Sequence, residues 1–312
     1  MWAFLAKRIV GGVLTLFVIA SLCFFLVRFS PGSPFTSERR LSPEVQRNLE
    51  RKYHFDKPLF TQYLLRMKGY LTGDFGPSIR YEGRQVEELI FPAFGTSLML
   101  GSLTFVLALI QGVIIGVLAA ARHRRVEDHA AMSLALVGIC VPNFLLGPLL
   151  VMVFSLALGW LPVAGWPESF APSELAKLIL PAFTLSLVHV AFLSRLTRAG
   201  MLDVLNRDYI RTARAKGLAE RIVILKHAVK NGITPTLSYA GPMAAYIFTG
   251  SVVVEKVFNL PGMGQHFIDS ALNRDDPVIL GTMLVYSTLI IAFNLVVDVA
   301  YSFLDPRVRL SG

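Results

Sequence analysis

Six long apolar runs constrain this chain more than any other feature. They span Ile9 to about Val27, Thr96 to Ala121, Ala130 to Leu158, Leu175 to Leu193, Leu237 to Val254, and Val278 to about Leu304. Each is close to or longer than the roughly 20 residues that carry a helix across a bilayer. Backbone N–H and C=O groups find no water in hydrocarbon, so such segments must satisfy themselves as helices. The chain is 54% hydrophobic and only 16% charged, with a mean hydropathy of +0.57. A soluble domain of this length carries more charge. The expected fold is therefore all-α: a polytopic membrane protein with six transmembrane helices.

The cations set the expected orientation. Lys7 and Arg8, the RHRR turn at Arg122 to Arg125, Arg195, Arg198, the stretch after it, and Arg307 and Arg309 fall on one side. The short loops on the other side hold only Lys256 and Arg274. Positive residues are retained in the cytoplasm, so both termini are expected inside. This bias also accounts for much of the net charge of +9, which needs no nucleic-acid partner. The first run is long for a signal peptide, and RFSPGSPF after it lacks a cleavage site, so it reads as a retained span. Arg28 is expected to snorkel to the outer interface. Cys23 and Cys140 fall within spans and read as buried apolar residues.

Three regions follow from this layout. Residues 1–29 hold the N-terminus and first span, 30–93 form an extracytoplasmic helical segment, and 94–312 form a five-helix core with a cytoplasmic loop at 200–235. In the outer segment, Ser42 is expected to cap a helix with Pro43 at its first position. A second helix starts at Pro58, carries Leu59, Tyr63, Met67 and Tyr70 on one face, and stops at Gly73. The GDFGPS stretch from Gly73 through Asp74, Phe75 and Gly76 reads as a turn.

Catalytic signatures are missing. The chain has no G-x-x-x-x-G-K-[ST] loop, no H-E-x-x-H and no G-x-S-x-G, so neither ATP binding nor hydrolytic chemistry is expected of it. No cofactor or metal site is implied. His189 and Asp298 are the ionisable groups inside expected spans, and such groups are functional candidates because burying them is costly. A neutral His189 with one hydrogen bond, and an Asp298 reached by an arginine or water near the inner end of its span, are structural alternatives.

One stretch stands apart. DYIRTARAKGLAERIVILKHAVKNGITP, Asp208 to Pro235, is basic and helix-forming between two apolar runs. Its first part fits a short helix stopped by Gly217. Arg207, Arg211 and Arg214 fall on one stripe; Tyr209, Ala213 and Lys216 fall on another. It reads either as a solvated loop held inside by its charge or as a docking helix, with Ala213 expected to pack in a groove of a partner.

The stretch Asp208-Tyr209-Ile210-Arg211-Thr212-Ala213-Arg214-Ala215-Lys216-Gly217-Leu218 resembles the coupling loop of importer-type ABC permeases. Ala213 and Gly217 match the general pattern, whereas Arg211 and Thr212 stand where it has Glu and Ala. The longer interval from Gly217 to Pro235 is similar to the peptide and nickel branch. Other pieces resemble the same branch. They are SPGSPFTSERRLSPEV near the N-terminus, the Gly73 to Ser78 turn, VEKVF at Val254 to Phe258, Pro261-Gly262-Met263-Gly264, Asn273-Arg274-Asp275, and the ending Asp305-Pro306-Arg307-Val308-Arg309. Within the branch, the resemblance is to the B-type permeases of bacterial oligopeptide importers. It implies an inner-membrane subunit that pairs with a second, C-type permease. Two ABC ATPases would dock on the cytoplasmic side, and an extracytoplasmic binding protein would deliver peptide. The same architecture could carry nickel, dipeptide or glutathione. A stand-alone channel or secondary carrier is a reading from another class, and copurification of ATPases separates the two.

Overall fold

Helices form wherever the sequence combines an apolar run with a usable start and stop. The computed structural model describes residues 2–30, 43–248 and 250–304, with backbone alone at 2–5, 43, 45, 46, 297, 298 and 300–304. Residues 31–42, with most of the SPGSPFTSERRLSPEV stretch and the expected Ser42 cap, lie outside the described residues, as does the Asp305 to Arg309 ending.

In chain order the helices are α1 (Trp2–Phe29), α2 (Pro43–Lys52), α3 (Leu59–Thr72), α4 (Val86–Ala121), α5 (Val126–Cys140) and α6 (Asn143–Leu150), the last continued by a π-helical turn Val151–Ala157. Then come α7 (Pro172–Leu175), α8 (Ile179–Leu205), α9 (Asp208–Ala215), α10 (Glu220–Ile222), a second π-helical turn Val223–Ala228, and α11 (Val229–Gly232). The chain continues through α12 (Thr234–Phe248), α13 (Val252–Val257), α14 (Met263–Asn273) and α15 (Asp276–Leu304). Among the described residues the only extended pairing is one bridge, Pro77 to Gln85. Four helical stretches are long and apolar enough to cross a membrane: Ala6–Phe29, Val86–Ala121, Pro172–Leu205 and Asp276–Val296. The bent pair Val126–Cys140 with Asn143–Ala157 makes a fifth if it counts as one span.

Expected boundaries move in several runs, and the helix over the fourth continues past Leu193 to Leu205. The second apolar helix starts at Val86 rather than Thr96, because Glu87 and Glu88 occupy its first turn and the Gln85 N–H donates to Glu88 Oε2 at 3.4 Å. Hydropathy alone hides a start made of carboxylates. The third run is not one straight helix: its legs meet at 111°. The cause is the Val141–Pro142 step, where Val141 is extended (φ −96°, ψ 118°) as the residue before proline must be. The helix over the expected fifth span stops at Phe248 after 15 residues, and α13 restarts with Ser251 Oγ accepting from the Val254 N–H at 3.3 Å.

The described residues pack as two units. The first takes in residues up to Thr96 together with Pro261–Leu295. Gly73 ends α3 in the left-handed region at φ 77°, and the Asp74 N–H returns to the Gly69 carbonyl at 2.9 Å. Tyr63 and Tyr70 of α3 pack with Cys23, Phe24 and Leu280. Arg28 does not simply reach for solvent. It lies 3.8 Å over the Phe55 ring and donates to the Gln62 side chain. Val86, Ile90, Met263 and Val278 form a second apolar cluster, against which Phe75 rests. A cavity of about 540 Å³, lined by both polar and apolar side chains, opens among Arg28, Tyr53, Arg66, Glu87 and Asp276.

The second unit comprises Ser97–Leu260 and the residues from Val296. Here α4 and α8 approach closely: a Cβ on Gly116 would stand 2.5 Å from Thr197 Cβ, so only glycine fits. Leu100, Leu180, Leu185, Val254 and Phe258 form one cluster, and Ala108, Val190, Leu193, Met243 and Ile247 another. Cys23 is buried as expected, but Cys140 is exposed at the end of α5, beside the bend.

Candidate functional site

The basic segment folds into a small platform built on the end of α8. Val204, at the end of α8, accepts the Arg207 N–H at 3.0 Å, and α9 starts one residue later with Asp208 in its first turn. A carboxylate there favours the positive end of the helix dipole. Ile210 and Ala213, three residues apart, turn inward together and are 0% and 7% exposed. They pack with Ala120, Met201, Val223 and Ala228, all of this chain. Ala213 was expected to fill a groove in a partner; the structure buries it in the chain's own core instead. The reason is the i, i+3 pairing with Ile210, which leaves Tyr209 and Arg211 facing out.

The end of α9 closes as the sequence predicts. Gly217 has φ 78°. Its N–H donates to the Arg214 carbonyl at 2.9 Å, and the Leu218 N–H donates to the Ala213 carbonyl at 3.4 Å. These two bonds are the paired closure that a left-handed glycine permits. Arg214 then folds onto Glu220, with Nε to Oε2 at 3.0 Å and Nη2 to Oε1 at 2.6 Å. The Arg214 hydrogen bond pulls the Glu220 carboxyl below its ordinary range, and the same bond raises the Arg214 guanidinium. Asn231 Nδ2 donates to Tyr209 Oη at 3.0 Å, tying the outward tyrosine to the returning chain. Arg211 stays open: its side chain is 73% exposed and, among the described residues, pairs with Asp208 alone, at 3.6 Å. Pro235, at the start of α12, stands against Gly200 of α8, where a Cβ would lie 3.2 Å from its ring.

The other motif residues fall elsewhere. Asp74 Oδ1 accepts the Gly76 N–H at 2.8 Å, Phe75 O accepts from Arg66 Nη1 at 2.8 Å, and Gly76 has φ 79°. Gly262 caps α14, whose first residues Met263 and Gly264 are buried behind an exposed Pro261. His189 is 5% exposed, 5.6 Å from the Tyr246 ring, and its Nδ1 has no hydrogen-bond partner among the described residues. Asp298 lies in α15, with its side chain outside the described residues. His189 and the basic segment are both in the second unit.

Three carboxylates are buried among the described residues; the sequence named Glu255 and Asp275 only within motifs and did not single out Asp128. Asp128, 1% exposed, is held by Arg198. Glu255, 0% exposed, accepts from Ser97 Oγ at 2.8 Å. Asp275, 1% exposed, accepts from Ser78 Oγ and from the Ile79 and Arg80 N–H groups at 3.1 Å each. Among the described residues no group of three or more His, Cys, Asp or Glu is arranged to hold a metal ion.

Comparison with known proteins matches this architecture to a transport family. Residues 112–310 match the profile described as "Binding-protein-dependent transport system inner membrane component", and residues 1–110 match its N-terminal companion, "Binding-prot-dependent transport system membrane comp, N-term". The chain belongs to this family. It is a multi-pass inner-membrane permease, a transport subunit rather than an enzyme. It is 44% identical over 309 residues to the oligopeptide transport system permease protein OppB of Escherichia coli K12, covering 99% of this chain and 100% of that one. The Haemophilus influenzae OppB is 43% identical over 309 residues, with the same coverage. The dipeptide transport system permease protein DppB of Bacillus subtilis is 43% identical over 310 residues, covering 99% of each.

Proposed function

We propose that this permease is the B-type subunit of an ATP-driven importer of oligopeptides. It pairs with a second permease to form the translocation path, two ABC ATPases dock on its cytoplasmic side, and an extracytoplasmic binding protein delivers the peptide. Six spans place both termini in the cytoplasm, as the distribution of Lys and Arg favours. In this layout residues 1–29 enter the membrane, 30–93 lie outside it, and 94–312 form the core with its coupling loop at 200–235.

The observation that carries the reading is α9. It is a helix anchored from beneath by Ile210 and Ala213 and closed by Gly217, with Tyr209 and Arg211 outward. Burying Ile210 supplies about 1.5–3 kcal/mol of anchoring to an element too short to hold itself. A helix fixed this way can transmit a push, whereas a solvated loop cannot. Closure of the ATPases on ATP would displace α9, and contacts made only in that state would bias the permease pair from inward-facing to outward-facing. The open guanidinium of Arg211 suits a carboxylate on the docking surface.

Affinity purification of the tagged permease from native membranes tests the reading, with mass spectrometry of what accompanies it. A second permease and two ATPases in stoichiometric amount are expected. A chain that purifies alone and still transports in liposomes without ATP would establish a channel or secondary carrier instead.

A further inference from the structure

An ion pair with a buried carboxylate clasps α8, which leads into α9, to the α4–α5 turn. Asp128, in the first turn of α5, accepts from Arg198 of α8 through both oxygens, Nε to Oδ1 at 2.6 Å and Nη2 to Oδ2 at 2.7 Å. The same carboxylate accepts the Arg124 N–H at 3.0 Å, and Arg124 sits in the left-handed region at φ 63°. His123 Nδ1 lies 3.1 Å from Arg198 Nη2 and 3.3 Å from Asp128 Oδ2. The turn is thus folded tightly around one carboxylate that is 1% exposed.

The position of Arg198 on α8 gives the clasp its direction. Met201 lies on the next turn of α8 and belongs to the cluster that buries Ile210 and Ala213. Ala120, two residues before the turn, belongs to the same cluster. On the Gly200 side, α8 is pinned by close approach: a Cβ there would lie 2.3 Å from the Gly232 carbonyl oxygen. A displacement of α9 therefore acts on the end of α8 as a body. The bidentate pair hands it to α5, whose far end is the 111° bend at Val141–Pro142. Stability is a poor reason for such a pair, because apolar residues of similar volume often hold a fold as well or better. Two parallel charge-assisted bonds supply something apolar packing does not, a link rigid in both direction and register.

We infer that the Asp128–Arg198 pair is the strut that carries movement of α9 into α5. Both are positioning residues for the ATP-driven step. The inference rests on the importer reading above.

The test uses the complete importer in liposomes and measures binding-protein-stimulated ATP hydrolysis and peptide uptake together. Arg198→Lys keeps the charge and loses the fork. The double variant Asp128→Leu with Arg198→Met replaces the pair by apolar volume. Uptake per ATP hydrolysed is expected to fall about tenfold in both, a loss within the range of coupling between linked sites. In the double variant the melting temperature should stay near wild type. Unchanged uptake per ATP in Arg198→Lys would overturn the strut. So would a double variant that recovers both melting temperature and uptake per ATP, since the pair would then be structural only. A wild-type complex without stimulated hydrolysis would instead overturn the importer reading itself.

Discussion

Replacing Gly217 by valine should weaken the grip of the ATPases without removing the permease from the membrane. Gly217 has φ 78°, and a Cβ built there meets nothing within 4 Å. The cost is therefore in the backbone and not in collision. An L-residue in the left-handed region costs about 1–2 kcal/mol. That energy opposes the two bonds that close α9, Gly217 N–H to Arg214 O at 2.9 Å and Leu218 N–H to Ala213 O at 3.4 Å. A change of 1–2 kcal/mol raises the frayed fraction of the cap by about 5–30-fold. Alanine should cost less than valine, and asparagine, which tolerates this region, least of all. The assay is co-purification of the ATPases with tagged permease, beside peptide uptake and an immunoblot of membrane level. ATPase recovery and uptake should rank glycine, asparagine, alanine, valine, at equal membrane level. Full recovery with valine, or asparagine as damaging as valine, would refute the backbone argument.

Ala213→Asp should act differently, through the permease itself. A carboxylate among Met201, Ile210 and Val223 has no partner there, and an unpaired buried charge costs about 3–5 kcal/mol, so the melting temperature and membrane level should drop together. Arg211→Ala, at a side chain 73% exposed, should leave the melting temperature unchanged and still lower ATPase recovery. The Arg214–Glu220 pair gives a pH dependence: a depressed carboxyl stabilises the fold above its unfolded pKa of about 4.3 and loses that contribution as pH falls through its lower folded value. Glu220→Gln should therefore reduce the unfolding free energy slightly at pH 7, by less than about 1 kcal/mol for so exposed a pair, and the difference from wild type should vanish in acid. For the topology, single cysteines at Glu50 and Glu168 should label with an impermeant thiol reagent in spheroplasts, and one at Arg124 should not. Cys140 must first be replaced because it is exposed, and labelling at Arg124 as strong as at Glu168 would reverse the orientation.

Local chemistry was legible in the sequence, and distant pairing was not. Gly73 and Gly217 both read as helix stops and both adopt positive φ, because that signal needs only the residue and its neighbours. The Pro58 helix with its tyrosine face was readable for the same reason. Four of the six apolar runs coincide with helices long and apolar enough to cross a membrane and a fifth with a bent pair, but the start at Val86 was hidden by the carboxylates in its first turn. Pro142 signalled an interruption, yet nothing local gave the 111° between the two legs. Ala213 could be placed on a stripe, but which stripe is covered depends on Met201 and Val223, outside the helix. Glu255 and Asp275 were quoted as parts of motifs, but their burial was not readable because their partners, Ser97 and Ser78, are 158 and 197 positions away. Asp128 was invisible for the same reason, with Arg198 70 residues on.

The most direct test of the central claim is uptake in cells lacking only this permease. Radiolabelled peptides of two to about five residues and nickel ion are each followed, with and without the gene restored. Oligopeptide uptake should be abolished and return with the gene, while nickel uptake stays unchanged. Loss of nickel uptake with peptide uptake intact would contradict the substrate assignment and leave the permease architecture standing.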